Sequence, residues 1–154
     1  MKKAIIIISI ILTAAAVLTA LIILNTPERR ISRFVRKHER ELLEIAEAEL
    51  SKEHHHKSDE KYLSVQIDGA FEGDHPMVQF YSFGSGLVPS SSYYGFYYSP
   101  DDVPLPFQNS DGYREVTDPD EKSGSDTAHY QGEGDNGGLT KKIIPYWYYY
   151  KAWF

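Results

Sequence analysis

"PYWYYYKAWF", Pro145 to Phe154, closes the chain with seven aromatic residues in the last nine. Read with the period of a strand, it separates into two sets. Tyr146, Tyr148, Tyr150, Ala152 and Phe154 point one way, and Trp147, Tyr149, Lys151 and Trp153 the other. Large rings on both faces need cover on both faces. A second stretch, "YYGFYY" from Tyr93 to Tyr98, has the same property. The two are expected to pair, with cross-strand aromatic contacts worth about 0.2–1 kcal/mol each. One face then buries against a helix. The other is either capped by the Pro-rich segment "PDDVPLPF" or presents rings to solvent, a membrane interface or a ligand. Tyrosine tolerates a wet edge through its hydroxyl. The main expectation is a structural strand. The alternative is a recognition surface, for which Tyr94, Tyr97, Trp147, Tyr149 and Trp153 are the candidate residues.

Other strands lie on either side of this pair. "KYLSVQIDG" alternates Leu63, Val65 and Ile67 against Tyr62, Ser64, Gln66 and Asp68, and "MVQFYSFG" follows through the turn-like "EGDHP". "YREVT" and "TAHYQ" flank the polar "DPDEKSGSD", and "GEGDNGG" leads into a last strand from Leu139 to Phe154. Pro145 inside that strand implies an edge position or a bulge. About five to six strands with short connections fit an antiparallel, mostly meander sheet and an α+β fold.

The covering helix is legible upstream. Thr26 is a good N-cap and Pro27 suits the first helical position, so a helix is expected from there to about Glu53. Ile31, Phe34, Val35, Leu42, Ile45, Ala46 and Leu50 form its apolar stripe. Arg40 with Glu44, and Lys37 with Glu41, are spaced to pair. Residues 28–40 carry six basic and two acidic side chains, whereas 41–53 carry five acidic and one basic. This order opposes the helix macrodipole. Anionic lipid headgroups near Arg29, Arg30, Arg33 and Arg36 would compensate, at about 1 kcal/mol per basic residue. A plain solvated face is the competing reading.

Before that helix, "AIIIISIILTAAAVLTALIIL", Ala4 to Leu24, runs 21 residues without a charge. At ~1.5 Å per residue it matches a hydrocarbon core of roughly 30 Å. A secretory signal peptide normally has an apolar region of ~7–15 residues ending at a small-x-small site. Here Leu21 to Leu24 extend the run past the alanines, which favours an uncleaved signal anchor. Lys2 and Lys3 ahead of it place the following domain outside the cytoplasm. The arginines behind it argue the reverse by the positive-inside rule, although long domains translocate largely regardless of charge.

Residues 58–154 carry 15 acidic and 6 basic side chains, a net charge of −9, which argues against a nucleic-acid partner. The chain has no cysteine, so disulfides, thiolate metal sites and a Cys nucleophile are excluded. "HHH", His54 to His56, with His75 or His38, raises a metal site. Three adjacent residues cannot face one ion on regular backbone, and a polar linker is preferred. Asp101 and Asp102 in "SPDDVP" are either an acid–base pair or a turn with a side-chain cap, and the turn is preferred. "DPDEKSGSD" fails as a calcium loop: Lys122, Ser123 and His129 occupy positions where ligands or the turn glycine belong. "FGSGL" is no nucleophile elbow, and "GEGDNGG" lacks the strand-to-helix setting of a dinucleotide loop. No cofactor is implied.

The strings "TPERRISRFVRKHERELLEIAE", "SSSYYGFYYSPDDVPLPFQ" and "GEGDNGGLTKKIIPYWYYYKAWF" resemble small single-pass membrane-anchored proteins of Gram-positive bacteria. No activity is assigned to that group, so the resemblance implies a cell-envelope setting and no chemistry. The expected plan is a transmembrane signal anchor at 1–25, an amphipathic juxtamembrane helix and linker at 26–57, and an antiparallel β domain at 58–154 covered by the helix. The expected role is a membrane-anchored, extracytoplasmic binding or scaffolding module. Its partners would be membrane lipids through the anchor and an envelope protein or glycan through the domain. The alternatives are an envelope enzyme using acidic or His residues and a cytoplasm-facing membrane-associated domain.

Overall fold

The computed structural model describes residues 2–51, 61–62, 65–87, 90–117 and 126–154. They fall into two units, Met1–Arg30 and Ile31–Phe154. In the first, α1 (Lys2–Leu24) is a continuous helix. Ile10, Ile11, Leu12, Val17, Leu18 and Leu24 each expose more than half of their surface. Its polar Thr19 returns its hydroxyl to the Ala15 carbonyl at 2.9 Å, which satisfies the donor inside the helix. Among the described residues no helix is long and apolar enough to cross a membrane. The side chains of residues 2–9 and 21–23, which include Lys2, Lys3 and both ends of the apolar run, lie outside the described set.

Helix α2 (Pro27–Leu50) begins as its cap predicts. The Arg29 N–H donates to the Thr26 hydroxyl at 3.4 Å, and the Arg30 N–H to the Thr26 carbonyl at 3.0 Å. The backbone leaves helical geometry at His38 (φ −116°, ψ 19°). The ring of His38 lies 4.9 Å from Phe34, and its Nδ1 is 2.9 Å from the Glu41 carboxylate. Glu41 therefore bonds His38, and the Lys37 pairing read from spacing is not among its contacts. Arg40 and Glu44 do meet, at 3.7 Å, but both are exposed and such pairs contribute little. The stripe is buried as expected: Ile31, Val35, Leu42 and Ala46 are at most 3% exposed, with Phe34, Ile45 and Leu50 packed beside them.

Among the described residues, eight antiparallel strands form one sheet: β1 (Lys61–Tyr62), β2 (Val65–Phe71), β3 (Met77–Leu87), β4 (Ser90–Tyr98), β5 (Arg114–Val116), β6 (Thr127–Gln131), β7 (Gly137–Ile144) and β8 (Trp147–Trp153). Their order is β1-β2-β3-β4-β8-β7-β6-β5. Two four-stranded meanders thus meet where the last strand pairs with β4. The pairing puts Tyr98 opposite Trp147, Tyr97 opposite Tyr148 and Phe96 opposite Tyr149.

Two expectations need correction. The sheet has eight strands, not five to six, partly because the run from Leu139 to Phe154 is two strands. Ile144 pairs with Trp147, leaving Pro145 and Tyr146 as a two-residue turn. Tyr146 has φ +69°, a conformation glycine adopts without cost, so β8 starts one residue later than the alternation implied. Pro145 therefore marks a hairpin turn rather than an edge, and β8 lies in the middle of the sheet. A bulge at Ile143 adjoins the turn.

The alternation itself decides the layers. Trp147 and Tyr149 pack with Val65, Ile67, Val78, Phe80 and Phe96 beneath α2. Phe80 and Phe96 stack at 4.9 Å, and Phe34 of α2 reaches Phe96 at 5.9 Å. Tyr148 and Tyr150 point the other way, into a second cluster with Met77, Tyr97 and Leu105. That face is covered by the Pro-rich crossover, residues 99–113.

Side-chain hydrogen bonds tie the crossover to the sheet and its turns. The Tyr97 hydroxyl donates to the Leu105 carbonyl (3.2 Å) and accepts from its N–H (2.7 Å). Asn109 donates to the Glu72 and His75 carbonyls, both at 3.0 Å. Asp102, at φ +55°, accepts from the Lys142 ammonium (2.6 Å), the Tyr146 N–H (2.7 Å) and the Tyr148 hydroxyl (3.1 Å). It joins the crossover to the turn before β8.

Burial pushes the Asp102 carboxyl up, but the Lys142, Tyr146 and Tyr148 donors outweigh this and hold it below the ordinary aspartate range. A depressed folded value means that the unfolded chain binds the proton more readily. The stabilisation is therefore complete above the unfolded value near ~3.9 and disappears as pH falls through the folded one. Asp102→Asn should cost about 1–3 kcal/mol at neutral pH, since its amide would present a donor to donors. In thermal melts the gap between wild type and variant should close below about pH 4. A gap that persists unchanged into acid would show that the carboxylate charge is not what holds the crossover.

Candidate functional site

The structure distributes the five aromatic candidates unequally. Tyr97, Trp147 and Tyr149 are at most 4% exposed and belong to the core, so they form no surface. The two coverings, α2 and the crossover, account for this. Tyr94 and Trp153 are partly exposed, on either side of Lys151, whose ammonium lies 5.9 Å from the Tyr94 ring and 5.6 Å from the Trp153 ring. Tyr94 also stacks on Phe83 at 5.0 Å. The candidate recognition surface is thereby reduced to this pair.

The basic residues singled out for lipid, Arg29, Arg30, Arg33 and Arg36, are all exposed. The Arg36 guanidinium, however, donates to the Ile143 carbonyl, where the bulge in β7 turns that oxygen outward. It serves the packing of α2 on the sheet. Asp101 pairs with His75 at 2.9 Å and Asp102 with Lys142, so the two carboxylates have separate partners. The Asp102 N–H donates to the Ser99 carbonyl at 3.0 Å, closing a turn. His54–His56 and most of "DPDEKSGSD" lie outside the described residues. Among the described residues no group of His, Asp and Glu is arranged to hold a metal ion.

The sequence reading did not single out a cleft that the fold creates on the crossover side. It has a volume of about 290 Å³ and lies between the 3-10 turn Phe107–Asn109, residues 110–113 and the β6–β7 loop. Its rings are Phe107, Tyr113 and Phe154, and its polar side chains are Gln108, Ser110, Glu133 and Asn136.

Each wall is held by named contacts. Phe107 packs on Tyr150 (5.4 Å) and meets Phe154 edge-on (5.7 Å), while Phe154 also meets Tyr93 edge-on (5.6 Å). Phe154 is fixed further by backbone bonds in both directions with Ser91. Gln108 and Asn109 both have left-handed backbones, with φ +55° and +48°. The Gln108 N–H donates to the Gln79 side chain at 3.0 Å, and Gln79 in turn donates to Asp68 at 2.7 Å. The Gln108 amide nitrogen reaches the same carboxylate at 3.3 Å, which leaves its side-chain oxygen without a hydrogen bond among the described residues.

On the far wall, Gln131 organises the β6–β7 loop by donating to the Asn136 and Gly134 carbonyls at 2.8 and 3.1 Å. The Tyr113 ring lies against Gly132, where a side-chain carbon would come within 3.1 Å of it. The side chains of Asn136, Glu133 and Tyr113 take no hydrogen bond among the described residues. Burial raises the Tyr113 phenol, so it stays neutral and able to donate through the physiological range.

Apart from Phe154, these lining residues escaped sequence reading because they come from two loops, the crossover and the β6–β7 loop, that period-two or helical patterning cannot bring together. A weak signal was present in "FQNSDGY" and "GEGDNGG": aromatic rings and carboxamides in segments whose polarity gives no reason for rings. Comparison with protein-family models, with curated proteins and with solved structures finds no match to this chain.

Proposed function

We propose that this chain is a single-pass, membrane-anchored cell-envelope protein whose C-terminal domain is an extracytoplasmic binding or scaffolding module. The cleft carries the binding half of this reading. It gathers rings and neutral hydrogen-bonding side chains with one carboxylate, Glu133, the composition of a recognition site. A glycosidase pair needs two carboxylates, and the side chains of the cleft's described lining supply one.

The anchor half rests on the uncharged run Ala4–Leu24 and its Lys2-Lys3 lead, in keeping with the resemblance to Gram-positive anchored proteins. The exposed apolar side chains along α1 suit a lipid environment. Arg29, Arg30 and Arg33 follow directly, where anionic headgroups would offset the reversed charge order of α2.

Topology is the decisive test. An alkaline phosphatase fused after Phe154 should be active in intact cells, because that enzyme matures outside the cytoplasm. Fluorescence from a reporter that matures only in the cytoplasm would place the domain on the inner side, the orientation the arginines after the anchor favour by the positive-inside rule.

A further inference from the structure

We infer that the cleft between the crossover and the β6–β7 loop is a saccharide site, taking a neutral or amino-sugar unit of an oligosaccharide; this rests on the binding-module reading above. Sugars present two chemistries at once. Their C–H faces are apolar and pack on aromatic rings, while their hydroxyls each donate and accept. The cleft offers both. Phe107, Phe154 and Tyr113 supply ring surface from different walls, and the first two are held by edge-on and tilted contacts to the rings beneath them.

Between the rings stand groups that donate and accept together. Asn136 has a whole carboxamide unengaged among the described residues, and Gln108 keeps its amide oxygen. Ser110 accepts from the Gly112 N–H at 3.3 Å and retains its own proton to donate. Tyr113 adds a neutral phenol.

Charge narrows the class. Glu133 is the one side-chain carboxylate of the described lining, no described Lys or Arg lines the cleft, and residues 58–154 carry −9 overall. Phosphorylated, sulfated or otherwise anionic ligands are repelled, whereas a hydroxyl or an amino-sugar nitrogen can donate to Glu133. The volume, at the lower end of small-molecule sites, suits one short stretch of glycan rather than a folded partner. Preformed walls favour binding, since little ordering remains to be done.

The test uses the full chain in a detergent without a sugar headgroup, which would otherwise compete. Saturation-transfer NMR is recorded with chitotetraose, cellotetraose and a tetra-alanine peptide, with affinities from titration. Transfer to the ring protons of at least one oligosaccharide is expected. Tyr113→Ala and Asn136→Ala, both in loops, should each weaken that binding at least tenfold with the melting temperature little changed. Lys151→Ala, on the opposite face between Tyr94 and Trp153, should leave it intact.

Binding that survives both cleft variants but is lost in Lys151→Ala moves the sugar site to the opposite face and overturns the assignment. Transfer only to the peptide, abolished by the cleft variants, overturns the saccharide class while leaving a binding module. No transfer to any of the three probes overturns the saccharide site and removes the support the cleft gives to a binding role.

Discussion

A chain ending at Tyr146, lacking Trp147 to Phe154, should lose its cooperative thermal transition and its near-ultraviolet aromatic circular dichroism. Among the described residues β8 is the fifth strand of eight and the one that links the two meanders by pairing, so its loss leaves β4 and β7 as new unpaired edges. Both cores fail together. Trp147 and Tyr149 leave the layer under α2, and Tyr148 and Tyr150 leave the layer under the crossover. Fully burying a large apolar side chain is worth about 1.5–3 kcal/mol. Four such rings approach the whole net stability of a small domain, ~5–15 kcal/mol. The truncation also removes the Tyr148 hydroxyl from Asp102, loosening the crossover. A truncated chain that melts cooperatively at the wild-type midpoint would show that the strand is not part of the core.

The second large effect is expected at Gly95 in "YYGFYY". A side-chain carbon there would lie 2.1 Å from the Phe80 carbonyl oxygen and 2.6 Å from the Tyr150 ring and hydroxyl. The carbonyl belongs to β3, the neighbouring strand, and cannot withdraw without opening the β3–β4 pairing. The ring is 1% exposed and has nowhere to go. Gly95→Ala should therefore cost at least about 3 kcal/mol, beyond ordinary overpacking. The melting temperature should fall on the order of 10 °C in consequence. Gly112→Ala is the control. Its nearest neighbour would be 3.4 Å away and its backbone is unstrained, so its midpoint should stay within a degree or two of wild type, on the order of a few tenths of a kcal/mol. Equal midpoints for the two variants would mean that Tyr150 and β3 give way more easily than a close-packed interior allows.

Gly95 also illustrates what patterning can and cannot reveal. The sequence shows a glycine between aromatic pairs in a strand, a known sign of close approach. It does not show that the approaching group is Tyr150 across the pair, since register is set by both strands and their turns.

Local regularities settled more. The Thr26-Pro27 start of α2, its apolar stripe and the two-faced alternation of Tyr148 to Trp153 were all legible, because each is a property of neighbours along the chain. So was the pairing of β8 with β4, since two strands with rings on both faces can cover each other's flanks only side by side. The turn at Pro145-Tyr146 was read as an edge or bulge. Tyrosine is not a residue that turn chemistry proposes at positive φ, and this one is held there by Asp102, 44 positions away.

Which of the aromatic residues could face a ligand was decided by the tertiary structure alone. Alternation assigns a residue to a face, but only the covering of that face determines whether it meets water. α2 takes one side and the crossover takes the other, so Tyr97, Trp147 and Tyr149 became core. The cleft belongs wholly to this level. Phe107, Tyr113 and Asn136 lie on segments without periodicity, and they converge because β8 joins two meanders and the crossover must pass between them. What the sequence by itself determined is therefore the class of the fold, its covering helix and the pairing of its two aromatic strands, through short-range patterns that physics reads locally. The tertiary structure decided the exposure and the convergence of side chains, because both depend on contacts between residues that no local pattern connects.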